Sequence, residues 1–433
     1  MKRSTAILIF AIVSSIRPQE MDSSETASIS LNTSFINNSH YENKSHLSHK
    51  NEIYENGMLT TIAFSYNNLM IKNSMFGSLD QDEALRGNNA EFAGIYGYTH
   101  LAYIEYSSKY IDIIYGRSFV EIGNGKFGNL LVSNYSRPFD QTQIKFKYRS
   151  FDLRSNVIQL ESIGSSKRYL SLHTIGYSIN NISVLAGEAV LLSGENRSFE
   201  LQYFNPFMVW LPEQVNQSTG SGNALLFGSI KYNYSPSLSI WGELLIDDYQ
   251  INNESKGDLE PNEIGFLGGV EKTGWPLPSS DLWLEYTRIT NRTYQTPDPS
   301  ETYTHRGFSI GHYLGNDFDM IQLYYSQKNM SGKLKPYMSL AYLRDGANGL
   351  DTSWDEPWMD STVTMDTGYS EPFPTGPITY ITEMELAADY SFNNGSMING
   401  GLFYRRNTLE GKTEEEFTVS LRLWLSLNKV FNY

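Results

Sequence analysis

The chain contains no cysteine, which excludes disulfide-stapled folds and every metal site built on thiolates. Histidine is scarce, with 7 residues in 433, and no His-Glu-x-x-His run occurs. Positive charge is in deficit: 33 Lys and Arg against 48 Asp and Glu give a net charge of -15. That balance removes the electrostatic basis for nucleic-acid binding. Neutral or cationic partners, or anions bridged by divalent cations, suit it better. Long apolar runs are lacking too. The main one, from Ser4 to Ile16, is shorter than the about 20 residues of a membrane-spanning helix. It follows Met1-Lys2-Arg3 and gives way to polar sequence at Arg17, the form of a secretory signal over residues 1–19 with cleavage between Ser14 and Glu20.

What the chain does have is aromatic. Tyr (30) and Phe (22) lead an aromatic content of 14%, in a sequence only 40% hydrophobic with a mean hydropathy of -0.39. A helical membrane protein cannot be this polar. A transmembrane β-barrel can, because only half of each strand meets lipid, and Tyr suits its interfacial girdles.

The end of the chain carries the clearest pattern. Phe417, Val419, Leu421, Leu423, Leu425, Leu427, Phe431 and Tyr433 alternate with Thr418, Ser420, Arg422, Ser426, Asn428 and Asn432. A period of two predicts a strand with one lipid face and one wet face. Lys429, Trp424 and Val430 are the exceptions. Tyr380 to Phe392 repeats the pattern with Glu383, Glu385 and Asp389 on the wet side. Unpaired carboxylates are costly in a dry core, so that side is expected to line the lumen. Ser239 to Asp247 alternates likewise, and Asn393-Asn394-Gly395-Ser396 predicts a tight turn. The charged stretch Arg405 to Glu416 reads as a connector. The expected fold is all-β: a single transmembrane antiparallel barrel over residues 61–433, of about 18 strands within a range of roughly 16–20. Residues 20–60 read as an arm, a plug or early strands.

Chemical motifs are weak. Asn-x-Ser/Thr triplets, such as Asn181-Ile182-Ser183, reflect composition in an Asn-rich chain. Gly123, Gly125 and Gly128 lack the Gly-Lys-Ser/Thr ending of a phosphate loop. His305 and His312, seven apart, fall on opposite faces of an extended strand and read as lumen or rim hydrogen-bonding residues. Asp247 and Asp248, near Glu243, face opposite ways as strand neighbours and make no glycosidase dyad. Arg117, Arg137, Arg149, Arg168 and Arg288 are expected to pair with lumen carboxylates. The long loop from Asn348 to Pro377 offers Trp354, Asp355, Glu356, Trp358 and Asp360 as glycan-binding candidates, with aromatic platforms and hydrogen-bond acceptors.

Several segments in order resemble the capsule-assembly Wzi family of outer-membrane barrels. They are Tyr115-Gly116-Arg117, Gly123-x-Gly125, Asn129-Leu130-Leu131-Val132-Ser133 and Arg137-Pro138-Phe139-Asp140, then Lys167-Arg168-Tyr169 with His173. The densest stretch, Val184 to Tyr249, holds Gly187-Glu188, Leu201-x-Tyr203-Phe204-Asn205-Pro206-Phe207, Gly222-Asn223-Ala224 and Gly242-Glu243-Leu244-Leu245-Ile246-Asp247-Asp248-Tyr249. Glu285-Tyr286-Thr287-Arg288, Tyr303-Thr304-His305 and Gly311-His312-Tyr313-Leu314-Gly315 extend it. The first 60 residues and the absence of an amphipathic helical bundle depart from the family pattern. The resemblance implies a lumen blocked by internal elements and a role in holding capsular polysaccharide. Arg117, Arg137, Asp140, Arg168, Glu188, Asn205, Asn223, Glu243, Asp247, Asp248, Arg288, His305 and His312 are then lumen-network or family-motif residues.

The resulting expectation is a noncatalytic, monomeric outer-membrane protein that binds surface polysaccharide through its loops. It carries no cofactor, with Ca²⁺ or Mg²⁺ bridging to acidic polysaccharide and no protein metal site assigned. Outer-membrane lipid, lipopolysaccharide and the barrel-insertion machinery are its other expected partners. The alternatives are a porin or solute transporter and a glycan-cleaving enzyme.

Overall fold

A computed structural model describes residues 27–39, 57–78, 90–92, 94–210, 222–251, 254–328 and 332–432. The expected signal over residues 1–19 and Tyr433 lie outside them. The strands are β1 (Ala27–Ser39), β2 (Gly57–Tyr66), β3 (Leu69–Ser78), β4 (Ala90–Phe92), β5 (Ile95–Ser107), β6 (Ile111–Ser118) and β7 (Phe139–Tyr148). There follow β8 (Phe151–Gln159), β9 (Lys167–Ile179), β10 (Ile182–Gly194), β11 (Asn223–Ser235), β12 (Leu238–Asp248), β13 (Glu263–Thr273) and β14 (Ser280–Ile289). The last are β15 (Thr304–His305), β16 (Phe308–Ser309), β17 (Phe318–Gln327), β18 (Leu334–Asp345), β19 (Thr379–Ser391), β20 (Met397–Leu409) and β21 (Lys412–Asn432).

All strands but β15 and β16 form one sheet, in which every pairing is antiparallel. Strand β4 pairs only with β5, which leaves 18 staves among the described residues. The sheet closes where β1 pairs with β21 from Ser28↔Asn432 to Ser39↔Leu421. Closure satisfies the edge N–H and C=O groups that lipid cannot. Of the polar segment 20–60, residues 27–39 and 57–60 are staves.

Connections alternate short and long. Asn67-Asn68, Arg149-Ser150, Asn180-Asn181 and Glu410-Gly411 join neighbouring staves, and the first residue of each has positive φ (49°, 52°, 49° and 48°). Such turns match the right-handed twist of the strands they join. Glu410-Gly411 lies at the end that carries the long loops; the other three lie at the opposite end. The stretch Arg405 to Glu416 is therefore no connector: β20 runs to Leu409 and β21 begins at Lys412. Its charges pair within the sheet: buried Arg405 lies 3.5 Å from Glu383 of β19, and Arg406 lies 3.9 Å from Glu415 across the hairpin. A hairpin of this length continues past the lipid into water, where the exposed charges of Arg406 and Glu415 are tolerated.

The faces obey the alternation. Phe417, Val419, Leu421, Leu425 and Leu427 are exposed on the outer wall, whereas Trp424 packs inside with Ile36 and Phe76. Glu383 and Glu385 point inward and are buried, opposite exposed Tyr380, Leu386 and Tyr390. The main apolar core lies inside the barrel. There Leu130, Leu131, Val132, Tyr294, Tyr303 and Ile310 from two long loops pack against Leu170, Leu191, Leu245, Leu267 and Ile289 of the wall.

Candidate functional site

Two wall carboxylates hold the deeper of these loops, residues 119–138. Glu243 of β12 accepts hydrogen bonds from the backbone N–H of Gly125 (3.0 Å), Leu130 (2.9 Å) and Asn124. Glu285 of β14 accepts from the N–H of Lys126 (2.9 Å) and Phe127 (3.0 Å) and from Trp241 Nε1 (2.8 Å). Both side chains are buried. Five peptide donors thus surround two carboxylates, each bond of the charge-assisted kind worth about 1.5–3 kcal/mol. The glycines make this approach feasible: a Cβ on Gly125 would lie 1.7 Å from Gly128 O, and one on Gly123 would lie 2.4 Å from Glu243 Oε1.

The second loop, residues 290–317, sits between this turn and the outside. Tyr294 OH donates to Leu130 O (2.5 Å), and its N–H donates to Asp247 (2.5 Å). Burial pushes the Tyr294 hydroxyl pKa far upward, so it stays a donor. Arg168 of β9 is buried and donates to the carbonyls of Ser300 (2.6 Å) and Thr304 (3.1 Å). His305 and His312 belong to this loop. They are not on opposite faces of a membrane strand, because the chain turns inward here and the short β15–β16 hairpin intervenes. His305 lies 2.6 Å from Glu161 and stacks on Phe139. That contact, with Arg168 and the Arg306 N–H, outweighs burial and holds the Glu161 carboxyl below its usual range. His312 is fully buried between Tyr313 and Phe318, and burial lowers its pKa to about 3.

The third layer is the loop over residues 346–378. The Arg292 guanidinium lies 5.6 Å from the Trp354 ring and 4.9 Å from the Trp358 ring. It forms ion pairs of 2.5 Å with both Asp355 and Glu371. Tyr369 OH donates to Glu371 (2.9 Å), and Gln295 donates to the carbonyls of Gly349 (3.1 Å) and Thr352 (3.2 Å). Thr375 and Asn348 donate their N–H groups to Asp317 (2.9 and 3.2 Å). Lys256 binds the carbonyl of Met359 (3.1 Å) and that of Asp360. Trp358 is 3% exposed; it holds Arg292 and presents no open platform. Trp354 is half-buried, while Asp355, Glu356 and Asp360 face outward.

An acidic cluster lies at the same mouth. A β-bulge between Ile246 and Asp248 sets two residues of β12 opposite Glu263, so Asp247 and Asp248 do not simply point to opposite faces. Asp247 takes the Tyr294 N–H, and Gln250 bridges Asp248 (2.7 Å) to Glu260 (3.4 Å). Burial, with Asp248 and Glu356 nearby, raises the Glu260 pKa to about 7 against the opposing pull of Arg292. Among the described residues no group of three or more His, Asp or Glu is arranged to hold a metal ion.

The expected lumen network is only partly inside. Arg137, Arg168, Asn223, Glu243 and Asp247 are inward. Arg117, Asp140, Glu188 and Arg288 lie on the outer wall, because each shares a cross-strand row with exposed residues. Arg149 occupies a turn beside Tyr148. Arg288 stacks on Phe373 at 3.8 Å. Asn205 lies on a segment folded against the outside of the barrel. Arg292, Glu371, Tyr294, Glu161 and Glu285 carry much of the architecture and were not singled out individually as site residues from sequence. Their partners are far away in the chain; Arg292 and Asp355 are 63 positions apart.

An 18-stave barrel closed on itself, with lipid-type side chains outside and loop segments packed within, is an outer-membrane β-barrel. The profile of the family described as capsule assembly protein Wzi matches residues 181–418, more than half of the chain. The chain belongs to that family. Among solved structures it is similar to Wzi of Escherichia coli, described as an outer membrane protein involved in group 1 capsule assembly and a carbohydrate-binding β-barrel. The TM-score is 0.62 at 13% identity, covering 92% of this chain and 84% of that one. It is also similar to OccD3 (OpdP) of Pseudomonas aeruginosa, with a TM-score of 0.51 at 9% identity, covering 94% and 92%. No curated protein sequence matches the chain.

Proposed function

We propose that this protein is a noncatalytic, monomeric barrel that binds and organises surface polysaccharide through its extracellular loops. The observation that carries the reading is the Arg292 clamp. It fixes the 346–378 loop over the mouth, so that Asp355, Glu356 and Asp360 face outward on a rigid support beside half-buried Trp354. A sugar's hydroxyl groups can donate to such carboxylates, and acidic polysaccharide can reach them through Ca²⁺ or Mg²⁺. The carbohydrate-binding description of the E. coli protein supports this reading.

The layered loops favour an occluded lumen over a porin's open channel. The carboxylates a glycosidase would need are engaged by the chain itself: Glu243 and Glu285 accept the protein's own N–H groups. Residues 1–19 serve as the export signal, and the barrel-insertion machinery delivers the chain to the membrane. Deleting the gene in a polysaccharide-producing host should shift polysaccharide from the cell-retained to the shed fraction. Unchanged retention refutes the reading.

A further inference from the structure

The outer wall below the long-loop rim carries a groove of about 580 Å³. Its floor is set by register. Ala102, Arg117, Asp140, Gln159 and Tyr169 form one outward row across β5 to β9, and Ile104, Tyr115, Thr142, Val157 and Ser171 form the next row down. Directly paired residues share a face, and exposed Ile104 and Tyr115 mark that face as the one turned to lipid.

One side of the groove is closed by an external flap. After β10, residues 195–210 fold back over the outer wall. Tyr203 and Trp210 bury Val190 and Leu192, and Phe199 meets Tyr169 at the groove. Beneath the flap lie outward-facing His173 and Glu188, which no lipid tail would solvate. Glu188 accepts the Trp210 N–H at 2.9 Å and lies 3.4 Å from His173. Leu201, Phe207 and Val209 project from the flap and are strongly exposed, as suits a segment lying against acyl chains.

The groove is graded in polarity. At its upper edge Arg117 grips Asp140 through parallel bonds of 2.8 and 2.6 Å, and Arg306 approaches the same carboxylate at 3.8 Å. Exposed Lys167 stands one pleat above Tyr169. Arg117 and Arg306 therefore both face Asp140 at this edge, and Glu161 lies near Arg306 from the loop side. At the lower edge Tyr115, Thr142 and Val157 lead to Ile113 and Ile144.

We propose that this groove binds one lipid of the outer leaflet, a phosphorylated and acylated glycolipid. Its phosphate meets Arg117 and Arg306, and an acyl chain descends over Tyr115, Thr142 and Val157. The polarity runs in the direction of an outer-leaflet lipid, with the head towards the long-loop rim and the tail towards mid-membrane. The site is separate from the extracellular mouth, so it stands or falls independently of polysaccharide binding.

Native mass spectrometry of the detergent-solubilised protein tests it, with three probes: diphosphorylated lipid A, the same lipid dephosphorylated, and phosphatidylcholine. The expected result is one retained adduct for the phosphorylated lipid. Retention should fall about tenfold or more for Arg117→Gln, the scale of one charged hydrogen bond, and similarly for Thr142→Trp, which fills the groove. Arg344→Gln breaks a matching outward pair with Asp319 on a distant part of the wall and should retain the lipid. Heat-modifiable gel migration checks that each variant is folded. Equal retention of all three lipids by the unaltered protein overturns the proposal, and that comparison needs no variant. Undiminished binding by folded Arg117→Gln and Thr142→Trp overturns it too.

Discussion

The backbone N–H of Leu130 donates to Glu243 Oε2 at 2.9 Å, although 113 positions separate the two residues. This bond ties an inward turn to the middle of β12. The barrel interior is built on such contacts, in which a wall carboxylate accepts donors from a loop that has no strand partner of its own.

Replacing both carboxylates should release that turn. In Glu243→Gln with Glu285→Gln each amide NH₂ would face a peptide N–H. Each bond lost in this way costs about 1–3 kcal/mol. The expected outcome in planar bilayers is stable conductance from the double variant where the parent protein gives little. Identical traces would contradict the anchoring role.

Arg292→Ala should free the 346–378 loop. It removes two ion pairs and the cation packed beside Trp354 and Trp358, and it leaves the largely buried Glu371 unpaired. Breaking a pair of this kind costs about 3–5 kcal/mol. Limited proteolysis of intact cells should then cut within 346–378 while the staves stay protected. Trp358→Ala should behave alike, and Trp354→Ala more mildly.

Two extracellular segments should respond to pH with opposite signs. The Glu260 pKa is raised to about 7 from 4.5, so its folded environment favours the protonated form. Protection of the segment 254–262 should increase as pH falls from 7 towards 4.5. The Glu161 pKa is lowered from 4.5 by His305 and its neighbours, so its contribution is present above that value and fades as pH drops through the lowered one. Hydrogen exchange at the two loops measures both trends, and Glu260→Gln should flatten the first.

The lipid face should reject charge where the opposite face accepts it. Leu425→Arg places a cation on the outer wall of β21, at a cost of up to about 2–4 kcal/mol near the bilayer midplane. Asn428→Arg, on the other face, should cost far less. Urea titration of folding into lipid vesicles compares the two.

Strand character was legible locally because a pleat repeats every two residues. Phe417 to Leu427, Ile240 to Ile246 and Tyr380 to Tyr390 show their lipid faces in the sequence itself. The direction of a charged residue near the rim was harder to read. Arg117, Asp140 and Arg288 invite a lumen assignment, yet register turns them outward, because charges can occupy the outer wall once it rises towards water. Adjacent Asp247 and Asp248 were misjudged for another reason: a bulge breaks the alternation, and nothing in the local residue pattern announces it.

By itself, then, the sequence determined a membrane barrel whose clearest staves, β12, β19 and β21, show a wet face and a greasy face, since alternation is a property of the chain alone. Only the tertiary structure decided what occupies the interior and what lies against the outside. The turn at Gly125, the Arg292 clamp and the packing of the flap's Tyr203 and Trp210 on β10 all depend on barrel closure or on partners outside their own segment. The first two arise only when closure of the barrel brings those partners together.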